Sequence, residues 1–119
     1  MAKRILLIDD DPVIRTLISE CLSCFGHNVH SAASGAEGLA QLKAERPDAI
    51  IVDFQMPEMS GLEVLTHIRA NPDTNTVPVL MLSANIDDKV LKNNPSVQAN
   101  HYLQKPFELK ELIGMIERL

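Results

Sequence analysis

Four short stretches of this 119-residue chain carry side chains that would form a phosphoryl-transfer site if they met in space. They are Asp9-Asp10-Asp11, Asp53 after Ile50-Ile51-Val52, Ser83 after Met81-Leu82, and Lys105 in Gln104-Lys105-Pro106-Phe107. Asp9 and Asp10 suit a hard divalent ion, most simply Mg²⁺, which takes oxygen ligands and keeps waters that a phosphoryl oxygen can displace. Asp53 can act as a carboxylate nucleophile and form an acyl phosphate. Ser83 and the backbone N–H of Ala84 can donate to a phosphoryl oxygen, and Lys105 brings a point charge to the same group. Each residue taken singly has a plain structural use. Asp9 and Asp10 can be turn residues, Asp53 a strand end and Lys105 a solvated charge, while Ser83 alone says nothing. Asp11, placed before Pro12, reads as a helix N-cap and is assigned no chemistry.

The elements that must position these residues alternate five times between short apolar runs and amphipathic stretches. Ile5–Ile8, Ala49–Val52 and Val77–Leu82 are apolar throughout, as central parallel strands buried on both faces should be. Asn28–Ala32 and His101–Leu103 are more polar and read as edge strands. Between them, Val13, Ile14, Leu17, Ile18, Cys21, Leu22 and Phe25 form a helical stripe ended by Gly26. Ser34-Gly35-Ala36-Glu37 and Ser60-Gly61-Leu62-Glu63 read as capping boxes that open two further helices. Ile86–Val97 is a poor helix, interrupted by Asn93-Asn94-Pro95. Leu109, Leu112, Ile113 and Ile116 stripe the last one. This alternation implies an α/β fold with a five-stranded parallel sheet in the order 2-1-3-4-5 and five helices. In such a sheet the carboxyl ends of the first and third strands border one crevice, which is where Asp9, Asp10 and Asp53 fall.

Composition narrows the class. Residues 1–119 are read as a single domain of ordinary size. The net charge of −5 and the lack of a Lys/Arg cluster argue against direct contact with nucleic acid. No apolar stretch approaches the roughly 20 residues that span a bilayer. Met1-Ala2-Lys3-Arg4 has no signal-peptide form, so cytoplasm is the expected location. Cys21 and Cys24 are expected to be buried or half-buried structural thiols. His27, His30, His67 and His101 are scattered and read as surface or packing residues.

Taken together, Ile8-Asp9-Asp10-Asp11, Asp53-Phe54-Gln55-Met56-Pro57-Glu58-Met59-Ser60-Gly61, Leu82-Ser83-Ala84 and Tyr102-Leu103-Gln104-Lys105-Pro106-Phe107 resemble the motifs of a response-regulator receiver (CheY-like) domain, in family order and spacing. The resemblance covers essentially the whole chain. It implies a flavodoxin-like fold and a phosphorelay switch dependent on Mg²⁺. By the resemblance, Asp53 is the phosphoacceptor, and Asp10 ligates the metal directly with Asp9 acting mainly through water. Asp53 and the backbone carbonyl of Gln55 add further metal ligands. Ser83 and Tyr102 are the switch pair, Lys105 is the phosphoryl-binding cation, and the Lys105–Pro106 bond is cis. The implied donor is a sensor histidine kinase or a histidine phosphotransfer protein. The implied output face is the fourth helix, fifth strand and fifth helix. A monomer or weak dimer, stand-alone or cut from a longer regulator, is expected.

The chain departs from the family pattern before Tyr102. Gln98-Ala99-Asn100-His101 replaces a Gly-Ala-acidic-acidic segment, which points to a specialised partner face. Gln55 and Asn85 are neutral amides where the family tunes water attack, so fast self-dephosphorylation is not expected. Two alternatives remain: a haloacid-dehalogenase-like phosphatase, in which Asp11 would be the general acid two positions after Asp9, and a pseudo-receiver that binds partners without phosphorylation.

Overall fold

The computed structural model describes residues 2–84 and 98–119. In chain order the elements are β1 (Arg4–Ile8), α1 (Pro12–Cys24), β2 (Asn28–Ala32), α2 (Gly35–Ala44), β3 (Ala49–Asp53), α3 (Gly61–Ala70), β4 (Val79–Ser83), β5 (His101–Gln104) and α4 (Leu109–Arg118). The five strands form one parallel sheet in the order β2-β1-β3-β4-β5. Four helices occur among the described residues. The helix expected over Ile86–Val97, with its Asn93-Asn94-Pro95 interruption, and Asn85 lie outside them.

Strand composition sets the order. Every residue of β3 and β4 is buried, while β2 buries only Ala32 and β5 only Leu103. The continuous apolar runs therefore take the centre and the mixed ones the edges. Side chains alternate across the sheet, which divides the core into two layers. Val52, Val79 and Met81 pack with Val64, Leu65 and Ile68 of α3 and with Leu39 and Leu42 of α2. Leu7, Ile51, Leu80 and Leu82 pack with Ile18 and Leu22 of α1 and with Leu112 and Ile116 of α4.

Local chemistry fixes the helix ends. Asp11 caps α1, its carboxylate accepting the N–H of Val13 at 2.9 Å. At the other end His27 N–H donates to Leu22 O (3.1 Å) and Gly26 N–H to Ser23 O (3.0 Å). Gly26 sits at φ +87°, the left-handed position that such a Schellman stop requires. Ser34 and Ser60 each accept the N–H of the glutamate three residues on. Glu37, however, closes its side of the cap on Ala33 N–H (2.8 Å) rather than on Ser34. Glu108 and Glu111 form a reciprocal cap on α4 that the sequence reading did not single out.

The stripe expected on α1 splits. Ile18 and Leu22 are buried, but Val13, Leu17 and Phe25 are 71%, 45% and 56% exposed. Ile14, Ile18 and Leu22 recur at four-residue spacing and define the buried line. Val13 and Leu17 lie about 100° away from it. The same geometry corrects the expectation for Cys24. Two residues beyond Leu22, it is rotated about 200° from the buried line and is exposed, whereas Cys21 is half-buried.

Candidate functional site

Each arm of the site is pinned by backbone bonds at the carboxyl edge of the sheet. Asp9 N–H donates to Ala32 O (3.2 Å), Phe54 N–H to Leu82 O (2.7 Å) and Lys105 N–H to Ser83 O (2.8 Å). Strands β1, β3 and β5 thus stay in register one residue past the ladder. Asp9, Asp53 and Lys105 are held where their side chains converge. One carboxylate oxygen each from Asp9, Asp10 and Asp53 lies within 4.8 Å of the other two. Lys105 Nζ sits 3.4 Å from Asp9 Oδ2 and 3.3 Å from Asp53 Oδ1. The Lys105–Pro106 peptide is cis, as the resemblance implied.

Burial sets the electrostatics. Asp9 and Asp53 are buried, at 0% and 5% exposure. Loss of water around Asp53, reinforced by the charge of Asp9, lifts its carboxyl to about 6, against the lowering effects of Lys105 and the backbone N–H of Gln55. Burial also raises Asp9, opposed by the Asp11 N–H, which donates at 2.9 Å, and by Lys105. Desolvation pulls Lys105 down, but the two carboxylates outweigh it and hold the ammonium above its usual value. Three carboxylates against one ammonium leave an excess of negative charge. A divalent cation with oxygen ligands offsets that excess, so the residues present fit Mg²⁺.

The loop after β3 is shaped to hold Asp53. Gly61 N–H donates to Phe54 O at 2.8 Å and closes the loop. A Cβ on Gly61 would collide with the backbone of Asp53 and Phe54, so only glycine allows α3 to start this close to the acid. Within the loop Met59 N–H bonds Pro57 O (2.7 Å) around Glu58, which lies at φ +67°. A non-glycine residue in that region costs on the order of 1–3 kcal/mol, which the surrounding contacts must offset. Nothing in the sequence marks Glu58 for this turn.

The remaining expected residues lie on the same strands or just beyond them. Ser83 ends β4 and is buried at 2% exposure, Ala84 is exposed beyond it, and Gln55 is exposed two residues after Asp53. Tyr102 is half-buried on β5. Its hydroxyl accepts Ala99 N–H at 3.1 Å and donates to Gln98 Oε1 at 3.2 Å. Asp11 turns away from the acid cluster to cap α1, so the general-acid role that a dehalogenase-like phosphatase needs there is not met. Sequence reasoning missed Arg69, whose four hydrogen bonds bind the end of α3 to residues 75–77 and 98–100. Arginine in the last turn of a helix gives no warning of such a role. His27 is buried as a packing residue, its Nδ1 accepting Lys3 N–H at 3.0 Å.

Comparison with known proteins agrees with this geometry. The profile of the response regulator receiver domain matches residues 5–117. The response regulator MprA of Mycobacterium bovis (strain BCG / Pasteur 1173P2) is 36% identical over 119 residues, covering 100% of this chain and 51% of that protein. The DNA-binding dual master transcriptional regulator RpaA of Synechocystis sp. is 37% identical over 118 residues, covering 98% of this chain and 48% of that protein. The chain thus spans about half the length of these curated relatives. Among solved structures, chemotaxis protein CheY4 of Vibrio cholerae superposes with a TM-score of 0.92 at 32% identity, over 99% of this chain and 98% of that one. The receiver domain of sensor histidine kinase PA1611 from Pseudomonas aeruginosa PAO1 was solved with a magnesium ion coordinated in its active site cleft. It superposes with a TM-score of 0.89 at 32% identity, over 99% of this chain and 97% of that one. The chain belongs to the response regulator receiver domain family.

Proposed function

We propose that the domain is a Mg²⁺-dependent phosphoacceptor switch in which Asp53 takes a phosphoryl group from a phosphohistidine. The observation that carries this reading is the convergence of Asp9, Asp10 and Asp53 within 4.8 Å, with Lys105 between the two buried acids. An Asp53 oxygen attacks phosphorus and the P–N bond breaks. The imidazole nitrogen keeps the electron pair and takes a proton from water. Bound Mg²⁺ would supply charge neutralisation between the acceptor and the anionic donor. Asp9, Asp10, Asp53 and the Gln55 carbonyl are the residues that would hold it. Lys105 leaves its bridging position to follow a phosphoryl oxygen, and Ser83 and the Ala84 N–H donate to the others. The domain is regulatory, promoting its own phosphorylation and its hydrolytic reversal rather than turning over a small substrate.

The donor is a sensor histidine kinase or a histidine phosphotransfer protein. Tyr102 reports the modified state by turning inward as Ser83 moves toward the phosphoryl group. Among the described residues, β5 and the adjoining α4 form the face that meets an output domain or effector. The acidic balance, net −5, directs this segment toward protein partners, with any nucleic-acid contact made elsewhere in a longer regulator. Incubation with Mg²⁺ and acetyl phosphate, followed by mapping of the adduct, tests the reading. Modification at Asp53 that is lost in Asp53→Asn is the expected result. No adduct, or one that survives the substitution, overturns it.

A further inference from the structure

A polar cluster on the α3 side of the sheet takes no part in the acid site. Arg69, half-buried in the last turn of α3, spreads its guanidinium over four oxygens. Nη1 donates to Val77 O (2.8 Å) and Asn75 O (3.3 Å), Nη2 to Asn100 Oδ1 (2.9 Å), and Nε to Gln98 O (3.2 Å). All four acceptors are neutral, and burial holds Arg69 below its ordinary value, opposed by Tyr102. Asn100 is itself tied into the sheet. Its Oδ1 also accepts Val79 N–H (2.8 Å), and its own N–H donates to Val79 O (2.9 Å). The same short segment holds the Tyr102 hydroxyl through Ala99 N–H and Gln98 Oε1. Gln98 is therefore gripped by Arg69 through its carbonyl and grips Tyr102 through its side chain.

We propose that Arg69 is a positioning residue that latches residues 98–100 and so retains Tyr102 in its present rotamer, setting the bias of the switch. The inference rests on the reading above, in which Tyr102 must leave this position when Asp53 is phosphorylated. Only a planar fork of donors can reach acceptors on both the 75–77 and 98–100 segments at once, so lysine would not substitute. Asn100 sets the strength of the latch. An aspartate there would offer a charged acceptor to both Arg69 and Val79 N–H and tighten it.

The direction of the effect separates a latch from simple scaffolding. Damage to a scaffold weakens the active-state complex, whereas release of a latch that opposes it strengthens the complex. With one tyrosine and no tryptophan, tyrosine emission reports Tyr102 alone. The experiment compares wild type with Arg69→Met, Gln98→Ala and Asn100→Asp. Circular dichroism checks folding, acrylamide quenching of the free protein reports Tyr102, and calorimetric titration with beryllium fluoride and Mg²⁺ reports the active-state complex. Arg69→Met and Gln98→Ala should change quenching and bind beryllium fluoride about 3- to 10-fold more tightly, as loss of one net hydrogen bond from the inactive state would give. Asn100→Asp should bind less tightly. Unchanged quenching in folded Arg69→Met, or unchanged or weakened binding in both loosened variants, overturns the proposal. If Arg69→Met does not fold, Gln98→Ala decides alone, since it removes the Tyr102 acceptor and leaves the backbone carbonyl that Arg69 holds. If the wild type itself ignores beryllium fluoride, the phosphoacceptor reading falls, while quenching of the free protein still decides the latch.

Discussion

Asp53→Asn should stabilise the metal-free protein at neutral pH, although it removes the central acid. Burial and Asp9 raise the Asp53 carboxyl from 3.8 to about 6 in the folded state. Between those values the folded protein holds a proton that the unfolded chain has already released. Stability therefore falls as pH climbs from about 4 to about 6 and stays at the lower level above that. A shift of about two units corresponds to about 3 kcal/mol, which the neutral amide avoids. Lys105 is not stranded by the change, because Asp9 remains 3.4 Å away. In EDTA at pH 7.5 the Asn variant should melt roughly 10 °C above wild type, and the gap should close as pH falls to 4. Thermal melts followed by circular dichroism across that range measure both quantities. Saturating Mg²⁺ should stabilise wild type more than the variant and narrow the difference. An Asn variant no more stable than wild type at pH 7.5 without metal, or a gap that does not change with pH, refutes the reasoning.

Other substitutions probe separate parts of the site. Lys105→Met should slow modification by acetyl phosphate on the order of 10²-fold, as loss of a charge aimed at the transferring group does elsewhere; stopped-flow tyrosine emission follows the rate. Gly61→Ala should cost about 1–3 kcal/mol by pushing α3 off the Asp53 backbone, read as a lower urea midpoint. Asp11→Ala should cost about 1 kcal/mol as a lost helix cap and leave beryllium fluoride affinity unchanged, since the Asp11 side chain turns to Val13. A loss of binding with Asp11→Ala would return this residue to the chemistry.

Much of this architecture could be read from the chain because burial on both faces leaves a plain signature. Ala49–Val52 and Val77–Leu82 are apolar at every position, and the sheet order and the meeting of Asp9, Asp10 and Asp53 followed from them. What stayed hidden depends on partners distant in sequence. The apolar positions of α1 form one stripe in the sequence, but register against the sheet selects Ile18 and Leu22 and leaves Val13 in solvent. Arg69 looks like any helix-end cation until residues 98–100 fold back to meet it. The departure at Gln98-Ala99-Asn100 was visible as a missing acidic pair. That Asn100 would instead bond Val79 and Arg69 was not, because an amide bonds according to its neighbours rather than its type.

Alternation along the strands has a consequence for how a signal can leave the site. Asp53 follows Ala49 and Ile51, whose side chains face the layer under α1 and α4. Ser83 follows Val79 and Met81, which face the layer under α2 and α3, and Tyr102 packs against that same layer. The sheet therefore works as a partition, with the proposed nucleophile in register with one face and the proposed switch pair with the other. If Asp53 takes a phosphoryl group as proposed, that group would act around the rim, through the few residues where β3, β4 and β5 end. On the proposed reading, repacking that starts at Ser83 or Tyr102 would enter the α3 layer first and reach α4 only around the ends of β4 and β5.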